Sequence, residues 1–105
     1  MIMQDIRTFA DDVKKHLTER IIPFWKSLRD EEYGGYYGWL GYDLVLDKKA
    51  VKGCILNSRI LWFFSNAYLL LGEKSLLQEA EHGWNFLKDR CVDRENGGVY
   101  WSLSY

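Results

Sequence analysis

Arg59 is the single charged residue in the stretch ILNSRILWFFSNAYLLL, residues 55–71, and a guanidinium in such surroundings has chemistry to offer. Trp62 and Asn66 follow it at i+3 and i+7, on the same face of a helix. A fixed cation can stabilise a developing negative charge, and flat aromatic rings suit the apolar face of a sugar. A purely structural role stands open beside this one, in which Arg59 pairs with an acid or extends to the helix end, because an unpaired buried charge is costly. Tyr100 and Trp101 carry the same pair of readings, sugar border or packing between helices. His16 and His82 fall on polar faces and read as solvated, not catalytic. Cys54 and Cys91 show no CxxC spacing and lie far from both histidines; no zinc site can be assembled, and buried free thiols are expected. The run LDKKAVKG lacks the glycine spacing of a phosphate loop and reads as a solvated connection.

The elements that must position these groups are bounded first by size and charge. A chain of 105 residues is a single domain at most, with a modest core. Its formal charge of −1 leaves no basic excess to hold a phosphate backbone, so nucleic acid is not an expected partner. Five Trp, seven Tyr and five Phe exceed what a small core needs, and some rings should line a groove or await a neighbour. The first fifteen residues mix acids and bases without the apolar segment of a signal peptide, and no later run reads as long enough to cross a bilayer. A cytoplasmic protein without a membrane partner is expected.

Between residues 4 and 28, Ile6, Phe9, Val13, Leu17, Ile21, Phe24 and Leu28 recur at three- and four-residue steps, which predicts an amphipathic helix. Pro23 lacks an N–H and crowds the preceding turn, so a kink or break is expected near Ile21 and Ile22. The aromatic, glycine-rich segment EEYGGYYGWLGYD, residues 31–43, predicts a short hairpin with strands at 36–40 and 42–46. Residues 55–71 are apolar nearly all round, the mark of a helix surrounded by protein. Ser75, with Gln78 three residues on, predicts the capped start of a further amphipathic helix carrying Leu76, Ala80, Trp84, Leu87 and Cys91.

The chain also repeats itself. The segment DEEYGGYYGWL from Asp30 and DRENGGVYWSL from Asp93 share Asp, Glu, both Gly, Tyr and Leu at an offset of 63 residues. Helix, Gly-Gly turn, helix is a unit that buries its apolar face only against neighbouring units, as in a helical solenoid or closed toroid. The second unit stops at Tyr105 before its own inner helix, and the chain reads as part of something longer.

The order IIPFWKSLRD, EYGGYYGWL, LDKKAVKG, SRILWFFSNAY and ENGGVYW resembles the N-terminal part of the N-acylglucosamine 2-epimerase superfamily, in particular its cellobiose 2-epimerase branch. The resemblance implies a mainly α fold with short β-hairpins: residues 1–105 as one partial domain, about three helices of an (α/α)6 barrel. It implies C2 epimerisation of a reducing-end glucose, in which one histidine removes the C2 proton to give an enediolate and a second returns it on the other face. No cofactor or metal is implied. Arg59 matches the family's active-site arginine, with Trp62, Asn66 and Tyr100 as candidate substrate-binding residues, while the family's catalytic histidines have no counterparts among these residues. The partner implied is a small-molecule sugar in the full-length context, and an isolated piece is expected to be inactive and to self-associate through exposed barrel helices. Two alternatives stand beside this reading: an autonomous carbohydrate-binding or scaffolding module, and a fragment of another (α/α)6 sugar-active enzyme.

Overall fold

The computed structural model describes residues 2–105. Helix α1 (Ile2–His16) continues through a π-helical turn, Leu17–Ile21, into α2 (Ile22–Lys26). The irregularity expected near Ile21 and Ile22 takes the form of a register change, not a break. The Ile22 N–H donates to the Leu17 carbonyl, five residues back, and this wider turn takes up the misfit of a proline that has no N–H to give. The helix stays continuous, but its two halves differ in environment. Met3, Ile6, Phe9 and Val13 are exposed, and the helix joins the core only with Leu17, Ile22 and Trp25.

Helices α3 (Cys54–Leu71) and α4 (Lys74–Phe86) form an αα-hairpin, the most extensive packing between any two elements of the chain. Gly72 closes α3 with φ +71°, its N–H donating to the Tyr68 carbonyl at 2.7 Å, a left-handed stop that glycine adopts without strain. Ile60, Phe64, Ala67, Leu76 and Ala80 from this pair meet Ile22, Leu28 and Tyr36 in the main core. The expected Ser75 cap does not form. Glu73 occupies the cap position without a side-chain bond, and Ser75 Oγ instead accepts from Lys26 Nζ at 3.0 Å, tying α4 to the end of α2. A second π-helical turn, Leu87–Cys91, extends α4.

Sheet structure is slight. Strands β1 (Lys52–Gly53) and β2 (Ser102–Leu103) pair antiparallel, Lys52 opposite Leu103 and Gly53 opposite Ser102. The hairpin expected at 36–40 and 42–46 is reduced to a short irregular one without regular strands, in which the Gly41 N–H donates to the Val45 carbonyl and the Asp47 N–H to the Trp39 carbonyl. Single bridges take the place of strands, Arg29 with Tyr36 and Leu40 with Leu46, because the chain spends residues 30–38 on a tight turn and then lies flat on the Val51 backbone at Gly38, where a Cβ would sit 1.8 Å from the Val51 carbonyl oxygen. The aromatic alternation is correspondingly uneven: Tyr36 is fully buried whereas Tyr42 is fully exposed.

The repeat survives in three dimensions, bond by bond. Asp30 N–H donates to the Gly35 carbonyl and Tyr37 N–H to the Leu28 carbonyl; Asp93 N–H donates to Gly98 and Tyr100 N–H to Cys91. Both glycine pairs take positive φ, +87° and +67° at Gly34 and Gly35, +83° and +75° at Gly97 and Gly98. Each Gly-Gly turn is a structural joint between the helix before it and the element that follows.

One sequence expectation on membranes needs correcting. Helix α3, with 18 residues and a mean hydropathy of 1.3, is long and apolar enough to span a bilayer by length and composition alone. Its buried Asn57 and its packing against α4 make it one half of the αα-hairpin, but it is not surrounded by protein as its composition suggested: Trp62, Leu69 and Leu70 are exposed, because the neighbours that would cover them are not among these residues.

Candidate functional site

Arg59 lies in the second turn of α3 with its side chain exposed, and among the described residues it makes neither an ion pair nor a side-chain hydrogen bond. Of the two structural readings, pairing with an acid is not seen among the described residues. Arg59 borders an apolar cleft of about 450 Å³ together with Trp25, Leu56, Ile60, Trp62 and Phe63. Trp62 is exposed beside it, and Asn66 follows one turn on, its Nδ2 donating to the Trp62 carbonyl at 2.8 Å. Three of the four expected site residues thus share the face of α3 that nothing in the chain covers. Trp25, from α2, joins them and was not anticipated; its place after Pro23 in a helix of doubtful continuity gave no signal.

Tyr100 does not reach this cleft. It lies across the αα-hairpin, against Cys91 and Val92 at the end of the second π-helical turn. Within these residues it is part of the second Gly-Gly turn and not of the Arg59 face.

The face is held in place by a polar network beneath it. Asn57, two residues before Arg59, is fully buried; its Oδ1 accepts from the Tyr36 N–H at 2.9 Å and its Nδ2 donates to the Gly53 carbonyl at 2.9 Å. The Tyr36 hydroxyl donates to Glu79 Oε2 at 2.7 Å, and Glu79 Oε1 meets Arg29 at 3.3 Å. Burial first, and then the hydrogen bond and charge of Glu79, push the Tyr36 phenol well above its ordinary value. His82, expected to be solvated, is half-buried: Nε2 lies 2.8 Å from the Gly35 carbonyl, with the ring edge-on to Tyr36. His16 is exposed, as expected.

Lys52 departs furthest from expectation, since LDKKAVKG read as a solvated loop. Its side chain is buried, with Nζ bonded to Asp30 Oδ2 and to the Gly34 carbonyl at 2.7 Å, and with the rings of Tyr37, Phe86 and Tyr105 around it. Burial alone would raise the Asp30 carboxyl; the Lys52 ammonium and the N–H groups of Tyr33 and Glu32 outweigh it and hold the group below its ordinary value. Both cysteines are buried and free, as expected.

Chemically, the Arg59 cleft offers a cation and two indoles, and its lining contains no histidine or carboxylate. Such a wall can bind a polyol and stabilise an oxyanion, but the base that removes a proton must come from elsewhere.

Residues 35–105 match the model of the N-acylglucosamine 2-epimerase (GlcNAc 2-epimerase) family, and the chain belongs to that family. It is 56% identical over 94 residues to a cellobiose 2-epimerase of Ruminococcus albus and 43% identical over 101 residues to one of Dictyoglomus turgidum, covering 90% and 96% of this chain but only 24% and 26% of theirs. It superposes on the cellobiose 2-epimerase of Bacillus thermoamylovorans with a TM-score of 0.93 at 42% identity, across 94% of this chain and 26% of that one. A sugar epimerase from a ruminal bacterium gives 0.87 at 56% identity, across 90% of this chain and 24% of that one. The chain thus spans about a quarter of the length of its relatives and corresponds to the N-terminal portion of their α/α barrel.

Proposed function

We propose that these residues supply one wall of a sugar 2-epimerase site, acting on the reducing-end glucose of a disaccharide such as cellobiose. The observation that carries the reading is the unpaired Arg59 guanidinium on an exposed face of α3, flanked by Trp62 and Trp25, in a chain at least 43% identical to several cellobiose 2-epimerases. In this mechanism the sugar ring opens, a base removes the C2 proton, and negative charge grows on O1 and O2 of the enediolate. Arg59 stands against that charge, and its contribution rises in the transition state because the charge is greater there. Trp62 packs on a sugar face and Asn66 offers an amide to a hydroxyl. The two histidines that take and return the proton belong to residues outside this chain, so the 105 residues alone are inactive.

The test is a chimera in which residues 1–105 replace the matching quarter of the Ruminococcus albus enzyme. Conversion of cellobiose to its mannose-ended epimer is expected from the chimera and not from the 105 residues alone. Arg59→Ala in the chimera should lower kcat by roughly a hundredfold or more, the scale of a lost oxyanion contact. Wild-type turnover in that variant, with the protein folded, would remove Arg59 from the chemistry.

A further inference from the structure

Cys54 and Cys91 take no part in the Arg59 face, yet the fold brings them together from the two ends of the αα-hairpin. Cys54 is the first residue of α3 and Cys91 the last of the π-helical turn after α4. Both are buried in one small cluster with Phe86, flanked by Leu87 and Leu103. The same stretch of backbone fastens them: Cys54 N–H donates to the Trp101 carbonyl at 3.0 Å, and the Cys91 carbonyl accepts from Tyr100 N–H at 2.8 Å. The thiols are neighbours in the cluster. Burial first, and then the hydrogen bond and charge of Cys54, push the Cys91 thiol up to about 12. The pair is not sealed off, because both residues border an apolar cleft of about 290 Å³ alongside Ile55, Trp84 and Val99. A small uncharged reagent can enter there, whereas an ionic one is disfavoured by the apolar walls.

We propose that Cys54 and Cys91 are a dithiol site that closes reversibly to a disulfide, with a small neutral linear disulfide as the oxidant. The Cys54 sulfur gives its proton to water and, as the thiolate, attacks one sulfur of the reagent. That S–S bond breaks, the first thiolate leaves, and a mixed disulfide remains on Cys54. Cys91 then loses its proton and attacks the Cys54 sulfur, expelling the second thiolate. In sum two protein thiols are oxidised to one disulfide, one reagent disulfide is reduced to two thiols, and the protons end on those thiols. The bridge joins the first turn of α3 to the end of α4 and closes the hairpin into a loop, which restricts the unfolded chain more than the folded one.

The experiment equilibrates the 105-residue chain with mixtures of 2-hydroxyethyl disulfide and 2-mercaptoethanol, then quenches with acid and determines the oxidised fraction by mass. In native buffer the effective concentration of the two thiols is expected to be at least about tenfold higher than in concentrated urea, where the intervening chain behaves as a flexible tether. Peptide mapping should join Cys54 to Cys91 within one chain. The oxidised form should melt higher than the reduced form, by on the order of ten degrees. Equal effective concentrations in the two solvents would overturn the proposal, as would mixed disulfides on both cysteines or bridges between chains as the main products. Cys54→Ala and Cys91→Ala, each retaining one thiol, should stop at the mixed disulfide; a melting shift in either on oxidation would show that the stabilisation is not due to the bridge.

Discussion

Lys52 lays its ammonium on the carboxylate of Asp30, twenty-two positions earlier in the chain, and both side chains are buried. The pair joins the first Gly-Gly turn to the strand that leads into α3, so it fixes where the Arg59 helix begins. A buried charge left without its partner is costly, and removal of either one should lower stability by about 3 kcal/mol or more. Lys52→Met and Asp30→Asn are each expected to show this in urea denaturation. The double variant should recover part of the loss, because no lone charge remains. Additive losses would mean that the two groups act independently.

The same pair sets an acid limit. The Asp30 carboxyl lies below its ordinary value of 3.8 when folded, so the folded state binds fewer protons than the unfolded one. Its contribution is therefore present above about pH 4 and is lost as pH falls through the folded value. Asp30→Asn should flatten the acid limb of the stability curve. Asp93, the repeat counterpart, accepts the same two backbone N–H groups, from Glu95 and Asn96, but on the exposed turn and without a lysine. Asp93→Asn should cost well under half as much, because solvent screens its charge and can replace its hydrogen bonds.

Gly35 and Gly98 separate backbone strain from collision. Both have positive φ, +67° and +75°. A Cβ on Gly35 would lie 2.8 Å from Phe86 Cγ and 2.9 Å from Asn57 Oδ1, whereas one on Gly98 meets nothing within 4 Å. Gly98→Ala should cost about 1 kcal/mol from the left-handed backbone alone. Gly35→Ala adds overpacking and should cost about 3 kcal/mol in total. Equal melting points for the two variants would contradict the packing of the first turn on α3 and α4.

These contrasts show which parts of the fold were written locally. Helical periodicity in α1, α3 and α4 and the Gly-Gly repeat are short-range signals, carried by side-chain spacing and by a backbone that only glycine tolerates well. Arg59, Trp62 and Asn66 share a face for the same reason, and their spacing was legible without coordinates. Lys52 and His82 were not, because their burial depends on what the chain brings back from twenty to fifty residues away: Asp30 in one case, the Gly35 carbonyl in the other. Tyr100 lies apart from the Arg59 cleft, beside Cys91 and Val92, because the second turn follows the far end of the αα-hairpin. The 36–46 strands shrank to one bridge, Leu40 with Leu46, because β-propensity reports a half-buried pleated surface, and the chain at Tyr36 and Gly38 meets helices and a bare backbone instead.

Tyr36 gives a test at the alkaline end. Its phenol lies above its ordinary value of 10.0 because it is buried and bonded to Glu79. The protonated form is the one that the fold retains, so the stabilisation is complete below about pH 10 and is lost as pH rises towards the folded value. Wild-type stability should therefore fall more steeply above pH 10 than that of Tyr36→Phe. At neutral pH the same substitution should cost about 1–2 kcal/mol, since Glu79 loses a donor but keeps Arg29. Urea midpoints measured on both proteins near pH 8 and near pH 10.5 check the two statements together, and parallel curves would sink the assignment.

The exposed stripe of α1 predicts how the chain behaves alone. Met3, Ile6, Phe9 and Val13 are 52–70% exposed on one side of a helix that packs chiefly against its own continuation. Leu69 and Leu70 at the far end of α3 are similarly bare. Contiguous apolar surface of this kind drives association, and more salt does not weaken it as it weakens ion pairs. Sedimentation velocity on the 105 residues should therefore show oligomers whose fraction rises with concentration and does not fall at high salt. Ile6→Lys with Phe9→Lys should shift the distribution towards monomer while helical circular dichroism is retained, because lysine is a good helix former. A wild-type monomer that melts cooperatively at high concentration would show that the stripe needs no cover.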